Sequence, residues 1–391
     1  MIESKSNIRI KDLIFTFLKI GTIGFGGGVG MLALIRKILI TEKRWIDDDE
    51  LATAIALGQM IPGPFVPNYV EYIGFRLRGI KGMIASVVAF LAPGVIAILI
   101  LSFIYFRTQK VLMLTDIFTW IQPVIIGILA WASLDMAKLY LKDIMGFSIA
   151  GLALIASIFR IEPIVIIFIC GAIGIIVANR KKIGFFNFIP VLLIGNTPVQ
   201  SLLKNISDLF SIFFKIGIVI FGGGFAAIPF ISQEVVTLRH WLTNQEFLTG
   251  IALSQITPGP VAILATFVGF KVAGVIGALI ATIGIFLPSF IILFIILHIY
   301  QYINKKNSRV SNYIQGFLSG IKPAIVGFLV SATIILASNH GVLITNLFSV
   351  SLIRILFMIV SFILLIRFKV SPVWLILGGA GLGFILTKIF V

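Results

Sequence analysis

The chain has 391 residues, of which 59% are hydrophobic and only 12% are Asp, Glu, Lys or Arg, against the roughly 25% charged residues of an ordinary soluble domain. With a mean hydropathy of +1.13, it is excluded from the soluble globular class and reads as an all-α polytopic membrane protein. About 20 apolar residues are needed per spanning helix, so about 12 or 13 spans fit. Lys plus Arg (31) exceed Asp plus Glu (15). The excess sits at the ends of apolar runs, as in Arg36-Lys37, Arg180-Lys181-Lys182 and Lys305-Lys306, a pattern of membrane anchoring rather than of nucleic-acid binding.

The polar start, Met1 to Asp12, runs into apolar sequence without a small-residue cleavage site, and no removed signal peptide is expected. Spans are then predicted near 13–35, 50–74, 82–106, 117–138, 146–159 and 163–179. The 146–159 run is short for a crossing and predicts a hairpin with its neighbour. An apolar stretch broken by Pro190 follows, and the second series falls near 209–235, 247–270, 275–300, 314–337, 342–366 and 372–390.

The second series repeats the first. A shift of 196 residues lays Leu13–Pro64 on Leu209–Pro260 with 21 of 52 positions identical, and the match continues through Arg76 on Lys271, Gly79 on Gly274, Pro93 on Pro288, Pro123 on Pro323 and Gly127 on Gly327. The chain therefore divides into a first repeat, 1–182, a connecting segment, 183–204, and a second repeat, 205–391. An extra crossing in the connecting segment would invert the second repeat; without it the two would be parallel. Basic residues favour inversion: Lys5, Arg9, Lys11, Arg76, Arg78, Lys81, Lys138 and Lys142 mark three loops of half one, and only Lys204 and Lys271 mark their counterparts. The loop of Arg36, Lys37, Lys43 and Arg44 argues the other way. Inverted repeats are a recurrent build of secondary transporters.

Two duplicated motifs carry the chemistry. Gly26-Gly27-Gly28 and Gly222-Gly223-Gly224 each place three glycines in an apolar helix, where each costs about 1 kcal/mol of helix propensity. The helix is expected to break there, and unwound backbone within a membrane belongs where it lines an internal cavity. A helix restarting after such a break offers free amides and a partial positive charge, which suits an anion. The second motif is Gln59 with Pro62-Gly63-Pro64 and its twin Gln255 with Pro258-Gly259-Pro260. Proline removes backbone donors and breaks the helix again, while the amides of Gln59 and Gln255 supply neutral donors. Ser254 and Thr257 add hydroxyls in half two, where half one has Gly58 and Ile61. A triple glycine alone is more often a close helix contact than a ligand site. Two copies, each 31 residues before its Gln, favour a functional cavity, although shared ancestry would copy a packing feature too.

Lys19, Lys215 and Glu71 are candidates for charge or proton coupling; the alternative for each is an interfacial position, with the lysines reaching the headgroups. Trp45 and Trp241 read as interfacial belt residues. No nucleotide-binding Gly-rich loop occurs, and His240, His298, His340 and Cys170 lack ligand partners at metal spacing. No cofactor, no metal site and no enzyme is expected.

These residues resemble the chromate ion transporter family in its long form, in which two homologous domains are fused. The resemblance rests on Phe221–Phe230, Trp241–Phe247, Gln255–Pro260 and Phe286–Phe290 in half two, and on Phe25–Gly28, Trp45, Gln59–Pro64 and Tyr72–Gly79 in half one. It implies a multi-pass secondary transporter of the bacterial plasma membrane linked to chromate export, with opposed domain orientations; taken with the four breakpoints, the expectation is an alternating-access carrier driven by a proton or counter-anion. Transport of sulfate or an organic anion is the alternative; a membrane enzyme or lipid flippase is a more distant one. Nucleic acid is no partner, and a homodimer stays open. Many members carry Pro-Ala-His after the first glycines and Asn-Ala-Thr-Gln after the first Pro-Gly-Pro, where this chain has Val29-Gly30-Met31 and Phe65-Val66-Pro67-Asn68.

Overall fold

A computed structural model describes residues 8–25, 27–108, 112–159, 161–178, 202–302, 308–338 and 348–390. The described residues are all helix and connecting turns. In half one, α1 (Ile10–Ile23) and α2 (Gly27–Arg36) are separated by a break, α3 (Asp48–Met60) leads into the long α4 (Phe65–Thr108), and α5 (Leu112–Tyr140), α6 (Ile144–Ile158) and α7 (Pro163–Ala178) follow. Half two repeats this as α8 (Leu202–Val219), α9 (Ala227–Ser232), α10 (Asn244–Ile256), α11 (Leu264–Tyr302), α12 (Ser308–Ser338), α13 (Phe348–Phe368) and α14 (Pro372–Phe390). The expected extra span in 183–204 falls largely outside the described residues.

The repeat extends to single backbone bonds. The chain widens into a π-helical turn at Lys37–Glu42 and again at Gln233–Leu238. The Trp45 and Trp241 amides each reach back 2.8 Å, to the carbonyls of Leu39 and Val235. Asp47 caps α3 by accepting from the Glu50 amide, and Thr243 caps α10 in a reciprocal box with Glu246. Those same glutamates then pair at 2.6 Å with Arg76 and Lys271.

Helices α4 and α11 are hairpins. Each reverses at one left-handed glycine, Gly79 (φ +60°) and Gly274 (φ +61°), a conformation that side chains beyond glycine resist. The arms then press together at Gly74 against Gly82 and at Gly269 against Gly277, where a Cβ on either partner would strike the other's carbonyl. Small residues permit such backbone contact in membranes, where apolar attraction between helices is weak. The short arms, 65–77 and 264–272, with α3 and α10 of 13 residues each, reach about 13–20 Å, less than the roughly 30 Å of a hydrocarbon core. The Pro-Gly-Pro turns join α3 to the short arm of α4 and α10 to that of α11.

Among the described residues, five helical stretches are by length and composition able to cross a membrane: Phe65–Arg107, Phe118–Tyr140, Val261–His298, Gln315–Ser338 and Ser351–Phe368. Exposed Phe15, Ile144, Phe147 and Trp374 present the apolar exterior that lipid requires. The runs expected at 146–159 and 163–179 appear as the short α6 and α7.

The two halves interlace. Helices α6 and α7 pack on α12 of the opposite half, and α13 and α14 pack on α5. Gly127 meets the Met358 carbonyl and Ser361, while its counterpart Gly327 meets the Ala150 carbonyl. One apolar core gathers Leu13 to Phe90 together with Leu293 and Leu297 of α11; a second, larger core joins α5 to α14.

Candidate functional site

The sequence places breaks at both glycine runs, and both are present. In half one the helix stops at Ile23, Gly24 and Phe25 are irregular, and α2 restarts at Gly27 and continues through Gly28. Gly26 lies outside the described residues. In half two α8 stops at Val219, Gly222 and Gly223 take φ of +94° and +102°, and one 3-10 turn (Gly224–Ala226) leads into α9. Both glycines occupy left-handed backbone that a Cβ disfavours. The amides of Gly222, Gly223 and Gly224 find no acceptor among the described residues.

The Pro-Gly-Pro turns are bound to the glycine breaks across the repeats. The Gly63 amide donates to the Ile220 carbonyl at 2.6 Å, and the Gly259 amide donates to the Gly24 carbonyl at 3.2 Å. Gly63 and Gly259 are counterparts, and so are Gly24 and Ile220. The flanking Pro62, Pro64, Pro258 and Pro260 have no N–H to offer. The one amide donor of each turn thus satisfies the carbonyl left open where the opposite helix ends. A Cβ on Gly94 would strike the Pro258 carbonyl, and one on Gly63 would press on Ser289. Residues 94 and 289 are themselves counterparts. The four breakpoints form one junction with a local two-fold pattern.

Polar side chains around the junction differ between halves. Gln255 keeps a buried Nε2 with no acceptor among the described residues. Gln59 is exposed and within hydrogen-bonding reach of Tyr69. Ser254 and Thr257 are buried, and their hydroxyls donate to the carbonyls of Ile251 (2.8 Å) and Ser254 (3.1 Å); in this conformation their protons are spent within the helix end. Asn68 is buried and donates to the Gly58 carbonyl at 3.1 Å, and its Oδ1 has no partner among the described residues.

Glu71 stands one helical turn beyond Asn68, fully buried, and neither of its oxygens has a hydrogen-bond partner among the described residues. An ionised carboxylate left so would be costly. Its counterpart in half two is Thr266, whose hydroxyl meets that of Thr282 at 2.7 Å. Lys19 is more than half exposed and lies 3.8 Å from Glu42. Lys215 acts on Glu234, which also pairs with Arg239 at 3.4 Å. The structure therefore sets both lysines beside acidic groups of the π-helical turns, whereas Glu71 belongs to the short arm that follows Pro64.

Sequence reasoning passed over Lys322, Tyr140 and Phe65. Phe65 lies against Gly223, Tyr140 lies against Gly222, and Lys322 Nζ sits 5.8 Å from the Tyr140 ring. A lone cation inside the apolar run 314–337 was the available signal.

The chromate transporter family profile matches residues 11–175 and 207–384, once per repeat. An uncharacterised transporter of Methanocaldococcus jannaschii is 32% identical over 308 residues, covering 74% of this chain and 76% of that protein. A chromate transport protein of Cupriavidus metallidurans is 29% identical over 391 residues, covering 97% of this chain and 94% of that one. Another from Pseudomonas aeruginosa is 29% identical over 294 residues, covering 71% and 70%. No solved structure gives a significant match. With the duplicated helical fold, these matches identify the chain as a multi-pass protein of the bacterial plasma membrane. Both repeats carry the family's sequence pattern around the same broken helices, and the chain belongs to the chromate transporter family.

Proposed function

We propose that this protein is a secondary active transporter that exports chromate by alternating access. The observation that carries the reading is the reciprocal tie of each Pro-Gly-Pro turn to the opposite glycine break. Such a junction lets backbone face a ligand from two sides, and movement at one break is transmitted to the other. The substrate class follows from the Gly222–Gly224 amides and the Gln255 donor, a neutral set that suits a tetrahedral oxyanion. The names of the Cupriavidus and Pseudomonas relatives support chromate in particular. Sulfate, of like charge and shape, is the second substrate this geometry admits.

Opposed orientation of the repeats is part of the proposal, supported by the exchange of basic residues between equivalent loops. Proton coupling is assigned to Glu71, whose buried carboxyl has no partner among the described residues and no acidic counterpart in half two. Inverted vesicles from cells expressing the protein accumulate labelled chromate in the test, with sulfate as competitor, in the presence and absence of a pH gradient. Uptake above that of vesicles lacking the protein supports the substrate, and dependence on the gradient supports proton coupling. Transport of neither anion rejects the assignment.

A further inference from the structure

Lys322 lies in the middle of an apolar stretch of α12, immediately before Pro323. It is half buried, and no carboxylate pairs with it among the described residues. Its ammonium faces the ring of Tyr140 at 5.8 Å, near the outer limit of a cation–π contact. Tyr140 in turn reaches the glycine break: a Cβ on Gly222 would lie 3.5 Å from its hydroxyl. Helix α12 also packs directly on the 3-10 turn after the glycines and on α9, with Phe328 and Phe230 rings 5.2 Å apart. Tyr140 thus links the Lys322 ammonium to the half-two break, where the Gly222–Gly224 amides find no acceptor among the described residues.

A cation within a membrane interior is expensive unless something pairs with it. The counterpart position in half one carries Gln122, which is buried and neutral. At this pair of positions the full positive charge thus belongs to half two alone.

We propose that Lys322, with the Tyr140 hydroxyl and the Gly222–Gly224 amides, forms the subsite that binds a divalent tetrahedral oxyanion, Lys322 supplying its counter-charge. This rests on the oxyanion-transport reading above and names the residue that reads the charge. Neutral donors fix the shape of the ligand, and the ammonium selects two negative charges over one.

The test uses the full-length protein in lipid nanodiscs, titrated with chromate and with sulfate, and the same variants in vesicle transport. Lys322→Gln, which copies the half-one residue, is expected to weaken binding about tenfold or more and to raise KM, with Lys322→Arg restoring most of the affinity. Tyr140→Phe is expected to cost about threefold, as for one lost hydrogen bond. A thermal-unfolding profile like that of wild type verifies that each variant is folded. Unchanged affinity in a folded Lys322→Gln protein that transports like wild type overturns the subsite and leaves the transport reading standing; absence of oxyanion binding by wild type overturns both. Should Lys322→Gln misfold, labelling of wild-type Lys322 by an amine-reactive isothiocyanate reads the same contact: slower labelling with chromate or sulfate bound is expected, and equal labelling overturns the subsite.

Discussion

Ser133 Oγ and Thr333 Oγ1 lie 3.5 Å apart, and the two residues occupy equivalent positions of the two repeats, 200 residues distant in sequence. Each hydroxyl also donates within its own helix, to the carbonyls of Leu129 and Leu329. A residue touching its own counterpart marks the place where the local two-fold relation passes between α5 and α12. The Gly63–Ile220 and Gly259–Gly24 bonds obey the same relation.

Replacing both residues by cysteine tests that contact directly. The native Cys170 is buried, and sulfurs at these positions need only a small adjustment to reach the roughly 2.05 Å of a disulfide. Oxidised Ser133→Cys/Thr333→Cys protein, cleaved at a protease site engineered between residues 178 and 202, is expected to run as one species without reductant and as two with it. Either single variant is expected to separate in both conditions.

Gly223→Leu is expected to abolish chromate transport while expression stays largely intact, and Gly27→Leu to do the same. At Gly223 the positive φ (+102°) adds about 1–2 kcal/mol of backbone strain, and the new side chain meets Phe65, which already stands 3.6 Å from a Cβ there. Vesicle transport normalised to protein in the membrane is the measurement; wild-type rates in both variants would show that the glycines serve packing alone.

Glu71→Gln separates coupling from binding. The substitution keeps the volume and removes the ionisable group, so substrate affinity is expected to change less than about threefold, within the range of one hydrogen bond. Acceleration of chromate uptake by a pH gradient is expected to disappear. A gradient response equal to that of wild type would place the proton elsewhere.

The Glu50–Arg76 and Glu246–Lys271 pairs, both at 2.6 Å, hold α3 and α10 to the ends of their hairpin arms. Both are partly shielded, and a coupling of about 1 kcal/mol is expected for each in a double-mutant cycle on thermal unfolding. Arg76→Glu alone is expected to lower the unfolding temperature, with Glu50→Arg in the same chain recovering part of the loss.

The breaks at both glycine runs and both Pro-Gly-Pro turns were legible in the sequence because glycine and proline act on the backbone locally. The repeat was legible by direct superposition of Leu13–Pro64 on Leu209–Pro260. Partnership was harder to read. That the Gly63 amide would be spent on Ile220, or that the Ser254 and Thr257 hydroxyls would bond carbonyls of their own helix, depends on where helix ends meet in space. Lys322 was passed over for a related reason: no duplicated motif marks it, and its neighbour Tyr140 lies in the other repeat. The two lysines that the repeat did mark, Lys19 and Lys215, lie with acidic neighbours beside the π-helical turns.

The exchange of α6 and α7 onto α12 has a consequence for biosynthesis. The ribosome completes α7 at Ala178 and starts α12 only at Ser308; at typical elongation rates of about 5–20 residues per second the wait is on the order of 10 s. During that interval the pair enters the bilayer without its final neighbour, with Gly171 and Gly174, which later press on α12, facing acyl chains or the insertion machinery. Maturation of the amino-terminal repeat is therefore completed only after the carboxy-terminal one has been inserted, and a nascent chain halted between them holds an orphaned hairpin for quality control to recognise.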